Sequence, residues 1–248
     1  MSGEPLVGLI VPARAGAVPP EGARLYPTGV RYVATGLGLE RLTPEGYDGV
    51  IDRAGQLAGA LAAEGADAVA LMGTSLSFYR GYAFNEQLKA TMREASGLPV
   101  TTMSTGVVEG LRAVGARRLA VVTAYIDEVN ARLRRFLVDS GFEVLALQGL
   151  GIDVVGQARQ VSPATLIELG QRAFAEAAGA DGILISCGGL QTLDVTVPLE
   201  RACGVPVVSS TPAAFWAAVR LVGLSGAAPG YGRLFELAAP APSAATAS

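Results

Sequence analysis

Not one of the 248 residues is a histidine. That absence removes Ser–His and Cys–His nucleophilic pairs and argues against a zinc site. Charge is sparse too: 17% of residues are charged and the formal net charge is −3. Such a balance offers no electrostatic case for binding nucleic acid or an anionic membrane. No stretch approaches the roughly 18 uninterrupted apolar residues of a membrane span. The segment Met1–Pro5 has neither the basic region nor the apolar core of a signal peptide. Two cysteines, Cys187 and Cys203, with no Cys-x-x-Cys pair, point to free thiols in a reducing cytoplasm. No P-loop occurs, and Gly36-Leu37-Gly38-Leu39 has two spaced glycines but no third. Any chemistry must run on a thiol, hydroxyls, carboxylates and backbone dipoles.

What is present is half apolar residues and an internal repetition. The run Gly182–Ser186 has the length of a buried strand and stops at Cys187, followed by Gly188 and Gly189. Two glycines let the backbone turn tightly and bring N–H groups close to a ligand. Ala66–Ser75 repeats the pattern: Ala-Asp, an apolar run, then small polar residues. Laying Ala66 on Ala180 places Gly73 on Cys187. Gly97-Leu98-Pro99-Val100 similarly matches Gly204-Val205-Pro206-Val207, with a connection seven residues shorter. Two similar halves predict an α/β protein of two pseudo-symmetric domains, each with a parallel sheet, and a cleft between them.

Strands are predicted at Leu6–Val11, Val30–Ala34, Ala66–Met72, Leu98–Thr102, Leu119–Ala124, Glu143–Leu147, Gly182–Ser186 and Val205–Ser209. Helices are predicted from Thr43 to Gly65, over Asn85–Ala95, Ser104–Val114 and Val129–Val138, from Ser162-Pro163, toward Ala202, and from a Thr211-Pro212 cap to Leu221. Ala13–Pro27 reads as a loop, Gly36–Leu42 as a mobile apolar loop, Ser77–Tyr82 as irregular, and Pro240–Ser248 as a disordered tail. The first domain is expected to hold residues 1–115 with 212–248, the last helix packing back on it; the second holds 116–211.

Three strand ends are expected to converge: Gly73-Thr74-Ser75, Thr123-Ala124-Tyr125 and Ser186–Gly189. The Thr74, Ser75 and Tyr125 hydroxyls with the Gly188 N–H would form a ring of neutral donors for a carboxylate gaining charge. Other readings stand beside this one. Thr74 and Ser75 could cap a helix, Tyr125 could be a core aromatic, and Cys187 a small buried hydrophobe. An unactivated thiol, ordinarily near pKa 8.5, is mostly protonated and can donate a proton. A helix beginning after it would lower that value somewhat. With glycine opposite, one thiol protonates one face of a carbanion and nothing strips a proton from the other. Loss of CO₂ is the natural source of such a carbanion. Arg24 and Arg80 could bind a carboxylate or simply be structural, and Asp67 and Asp181 precede their strands and either cap or face solvent.

The segment Gly73-Thr74-Ser75-Leu76-Ser77-Phe78-Tyr79-Arg80-Gly81 resembles the arylmalonate decarboxylase family of the aspartate/glutamate racemase superfamily. So do Gly22–Pro27, Thr123–Asp127 and Pro229–Phe235. The superfamily sets two cysteines across a cleft; in this family glycine replaces the first. The resemblance implies cofactor-free, enantioselective decarboxylation of α-aryl or α-alkenyl malonates, R product included. It assigns Cys187 as proton donor and Thr74, Ser75, Tyr125 and Gly188 to a dioxyanion hole. Gly73, Pro12, Leu39, Leu42, Tyr47, Leu76, Val155 and Gly189 would line the substrate site; several of these could equally be core. The partner implied is a small dicarboxylate, acting on a monomer without nucleic acid, membrane or metal. Ala158 stands where the family is expected to have methionine, which would make this pocket roomier. A racemase or isomerase of the same superfamily, or a non-catalytic binder of small carboxylates, are the alternatives; the first needs a second thiol where Gly73 stands.

Overall fold

The computed structural model describes residues 3–39, 50–154 and 156–237. The chain begins with β1 (Leu6–Val11), α1 (Glu21–Leu25) and β2 (Arg31–Gly36). There follow α2 (Val50–Ala63), β3 (Ala68–Leu71), α3 (Thr74–Phe78), α4 (Tyr82–Ser96), β4 (Val100–Thr102) and α5 (Met103–Ala113). The second half runs β5 (Arg118–Thr123), α6 (Asp127–Asp139), β6 (Glu143–Gly149), α7 (Pro163–Glu176), β7 (Gly182–Ser186), α8 (Leu193–Cys203) and β8 (Val207–Ser209). α9 (Ser210–Leu221) and α10 (Arg233–Glu236) close the described chain.

Among the described residues the strands form two parallel four-stranded sheets, ordered β2-β1-β3-β4 and β6-β5-β7-β8. The two orders are the same topology, so the predicted pair of parallel α/β halves is what the chain forms. The register repeats as well. Leu71 pairs with Thr102 in the first sheet, and Ile185 with Ser209 in the second. The central strands β3 and β7 are wholly buried, as a parallel sheet covered on both faces requires.

Local chemistry explains the matching seams. Gly97 and Gly204 end α4 and α8 in the left-handed conformation, φ 69° and 75°, which a side chain would strain. The prolines that follow cannot continue a helix, so each chain turns into β4 or β8. The Asp67 carboxylate accepts the Leu6 N–H at 2.8 Å, and Asp181 accepts those of Arg117 and Arg118, both at 2.7 Å. Each caps the start of the neighbouring strand, β1 or β5, which is one of the two roles expected of it. Ser162 caps α7 as predicted, accepting the Thr165 N–H at 3.1 Å.

Several local readings need correction. The Ala13–Pro27 loop contains α1, and Ser77–Tyr82 is helical at both ends, closing α3 and opening α4. A 3₁₀ turn at Gln157–Gln160 and the short α10 are unpredicted additions. Short helices carry too few turns to show a hydrophobic period. The described part of the Gly36–Leu42 loop is fixed: Leu37 and Leu39 are buried, and their N–H groups donate to Val11 and Pro12 carbonyls at 2.8 and 2.7 Å. α5 starts at Met103 under a Thr102 cap, one residue before the expected Ser104. Thr211 does not cap α9; the N-cap is Ser209, with no side-chain cap bond. Pro240–Ser248 and the helix start at Thr43 lie outside the described residues.

α9 crosses from the second sheet onto α5, β3 and β4 of the first half. Gly106 makes that crossing close: a Cβ there would sit 3.0 Å from the Ala214 Cα. No helix among the described residues is long and apolar enough to cross a membrane.

Candidate active site

Parallel strands deliver their carboxyl ends to one edge of the sheet, and β5 and β7 run side by side with Thr123 opposite Ser186. Tyr125 and Cys187 therefore leave neighbouring strands together. Thr123 Oγ1 accepts the Tyr125 N–H at 3.2 Å, and Asn130 donates to the Tyr125 carbonyl at 3.1 Å, which fixes the turn. The Tyr125 phenol hydrogen-bonds to the Cys187 sulfur. Its ring stands edge-on to Phe78 of the first half, centroids 5.7 Å apart. Tyr125 is thus both a packed aromatic and a polar contact of the thiol.

Cys187 is a free thiol, 5% exposed. Burial pushes its pKa up from the ordinary thiol value. The N–H groups of Gly189 and Leu190 and the Tyr125 phenol pull the other way without winning. The Gly189 N–H lies 3.4 Å from the sulfur. A helix terminus was expected to lower this thiol's pKa, but α8 begins only at Leu193 and desolvation dominates. The sulfur is therefore a thiol at neutral pH.

From the other half come Gly73, Thr74, Ser75 and Leu76, all buried. Gly73 is the N-cap of α3 and makes no side-chain cap, so Thr74 and Ser75 occupy the first helical turn. The capping role weighed for these hydroxyls is not theirs, and their N–H groups are among those a helix start leaves without intrahelical partners. Thr74 donates its hydroxyl to Met103 Sδ at 2.9 Å. Met103 also meets the facing loop: a Cβ on Gly188 would lie 3.2 Å from its Sδ and Cε, and 3.7 Å from the Met72 carbonyl. The two strand ends are packed on each other through one methionine.

Gly189 lies under Ala158, whose Cβ would be 3.0 Å from a Cβ added there. Pro12 and Leu39 are joined by the backbone bond already described, at the ends of β1 and β2. Leu42, Tyr47 and Val155 lie outside the described residues. Arg24 is not directed at a ligand: it forks onto Asp194 at 2.7 and 3.1 Å, an exposed pair joining the two halves. Arg80 stacks over Phe84 at 5.5 Å. Sequence reading missed Met103, Ser104 and Thr211 here. Their position after Gly97-Leu98-Pro99 and Gly204-Val205-Pro206 was the available signal. Among the described residues no three His, Cys, Asp or Glu side chains gather as metal ligands would.

The fold and this site define a class: paired parallel α/β halves of the racemase type, with a buried thiol at one strand end and glycine at the equivalent end. Within it, residues 7–235 match the family model for arylmalonate decarboxylase. An arylmalonate decarboxylase of Bordetella bronchiseptica is 56% identical over 94% of this chain and 97% of its own length. The chain belongs to the arylmalonate decarboxylase family and is a carboxy-lyase. A crystal structure of an arylmalonate decarboxylase carrying glycine-to-cysteine and cysteine-to-serine substitutions, in liganded form, superposes with TM-score 0.91. It is 55% identical and covers 94% of this chain and 99% of that one. A maleate isomerase of Pseudomonas putida S16, 21% identical and covering 94% and 99%, shares the fold at TM-score 0.85.

Proposed function

We propose that this protein decarboxylates α-aryl or α-alkenyl malonates to a single enantiomer of the monoacid, without a cofactor. The observation that carries the reading is the asymmetry of the halves: a buried, protonated thiol at Cys187 and glycine at its counterpart, Gly73. The retained carboxylate lies among the Thr74, Ser75 and Tyr125 hydroxyls and nearby backbone N–H groups, that of Gly188 included. The departing carboxylate faces Pro12, Leu39 and Leu76, with Gly189 beside the thiol. An anion held against apolar walls loses hydration, and leaving as neutral CO₂ relieves that cost.

As the bond breaks, its electron pair passes to the α-carbon and into the retained carboxylate, giving an enediolate. Donors placed where this charge grows lower the barrier. The Cys187 S–H then protonates the α-carbon on one face, and water returns a proton to the thiolate. One proton is consumed and one CO₂ released, so charge balances. We take residues 1–115 with 212–248 as one lobe and 116–211 as the other, in a monomer, the substrate lying between them.

Likeness to maleate isomerase favours a second reading, isomerisation, but that chemistry on this scaffold wants a second thiol at Gly73. Phenylmalonate in deuterated water separates the two. CO₂ release with deuterium at the α-carbon, nearly abolished in a folded Cys187→Ser variant, is expected. Full CO₂ release by that variant would remove Cys187 from the mechanism.

A further inference from the structure

Two buried hydroxyls make the same bond in the two halves. Thr211 donates to the Gly188 carbonyl at 3.1 Å, and Ser104 donates to the Thr74 carbonyl at 3.0 Å. The repeat that lays Gly73 on Cys187 lays Thr74 on Gly188; the one that lays Gly97 on Gly204 lays Ser104 on Thr211. The matched strand registers put each hydroxyl beside its carbonyl independently of that alignment. Helix capping does not account for either hydroxyl, since Thr102 caps α5 and the N-cap of α9 is Ser209.

What each bond holds is a peptide plane. The Gly188 carbonyl belongs to the Gly188–Gly189 peptide, whose opposite edge is the N–H lying 3.4 Å from the Cys187 sulfur. Because the peptide is planar, fixing its oxygen fixes where its N–H points. Accepting a bond at the oxygen also polarises the N–H, strengthening its donation by about 10–30%. Two consecutive glycines would otherwise leave this plane free to turn. The far end of the same loop is tied to the same junction, Thr192 donating to Ser209 Oγ at 2.9 Å. In the other half the Thr74 carbonyl accepts from Ser104, and the Ser77 hydroxyl lies 3.0 Å from the same carbonyl and 2.7 Å from Ser104 Oγ, so the Thr74–Ser75 peptide is held by a hydroxyl pair.

We propose that Thr211 and Ser104 are paired positioning residues. Thr211 locks the Gly188–Gly189 peptide with its N–H on the Cys187 sulfur, and Ser104 locks the Thr74–Ser75 peptide on the substrate-carboxylate side. The proposal rests on Cys187 as proton donor, but its test does not depend on turnover. In a Cys203→Ser background Cys187 is the sole thiol, and its rate of alkylation by iodoacetamide against pH, read by mass spectrometry, titrates it alone. The Tyr125 phenol is the titratable side chain that acts on it.

Thr211→Val keeps shape and β-branching but removes the donor; Thr211→Ser keeps the donor. Valine should move the thiol titration to higher pH, because the thiolate loses a polarised N–H, and serine should restore it. The valine variant should lose about three- to tenfold in kcat with little change in KM, the scale of one net hydrogen bond. An unmoved titration in the valine variant, or a serine variant as impaired as the valine, would overturn the assignment. Should Thr211→Val not fold, Ser104→Ala gives the contrast. It should lower kcat while leaving the Cys187 titration in place, and an equal shift of that titration would refute a local peptide lock. If Cys187→Ser proves fully active, the donor assignment fails while the titrations still judge the clamp.

Discussion

Gly73→Cys places a second thiol at the position equivalent to Cys187. The backbone admits it: Gly73 has φ −150° and ψ 107°, an extended conformation open to any residue. Space is the constraint. A Cβ there would run into Leu76 Cδ1 and lie 3.0 Å from its Cγ and 3.2 Å from its Cβ. Ordinary carbon contacts are about 3.5–4.0 Å, so the Cγ must withdraw by about 0.5–1 Å. Leu76 is 1% exposed and cannot escape into solvent. Overpacking of this kind costs about 1–3 kcal/mol. At this chain length each kcal/mol should lower Tm by about 2–4 °C. The clash also predicts coupling. Leu76→Ala should destabilise Gly73→Cys less than wild type, by about 0.5–3 kcal/mol, because the obstructing atoms leave with it. Urea unfolding of the four proteins measures this directly. On the catalytic side, Gly73→Cys should gain α-proton exchange on 2-arylpropionates, which wild type is expected to lack. Gly73→Cys combined with Cys187→Ser should invert the product's handedness, read by chiral chromatography. Additive stabilities together with an unchanged enantiomer would refute a two-sided site.

Further outcomes are expected elsewhere. Removing the hydroxyl in Thr74→Ala or Ser75→Ala should raise the barrier by about 2.7–4 kcal/mol, seen in kcat more than KM, with Thr74→Ser recovering much of it. No change in kcat for either alanine variant would leave these residues as parts of the turn alone. In the proposed mechanism the donor works protonated, and burial holds the Cys187 pKa above the ordinary value. Decarboxylation should therefore persist through neutral pH and fall only beyond the usual thiol range near ~8.5; a decline centred below neutrality would contradict that. Glu200 accepts the Val207 N–H at 3.0 Å and the Arg233 N–H at 3.1 Å. Glu200→Ala should cost about 1–3 kcal/mol for each orphaned N–H, measured by urea unfolding. Burial raises the Glu200 pKa, so the fold favours its protonated form. Its stabilising effect is then full below the ordinary carboxyl range and lost as pH rises through the raised value; Glu200→Gln should flatten that slope.

Much of this protein was legible along the chain. Continuous apolar runs marked strands that a doubly covered parallel sheet must bury. The recurrence of Ala-Asp before a strand and of Gly-x-Pro after a helix gave the two halves and set Gly73 against Cys187. Ser162 bonds the Thr165 N–H three residues on, so its role follows from local geometry. These features share a cause: they are fixed by periodicity, turn chemistry and composition over short distances. Other features depend on sheet register. Thr211 reaches the Gly188 carbonyl across 23 positions, and Ser104 reaches Thr74 across 30. Met103 touches both strand ends only because the sheets bring their carboxyl edges together. The state of Cys187 was also hidden, since a following helix argued for a lowered pKa. Desolvation decided for a raised one, and burial exists only once both halves are packed.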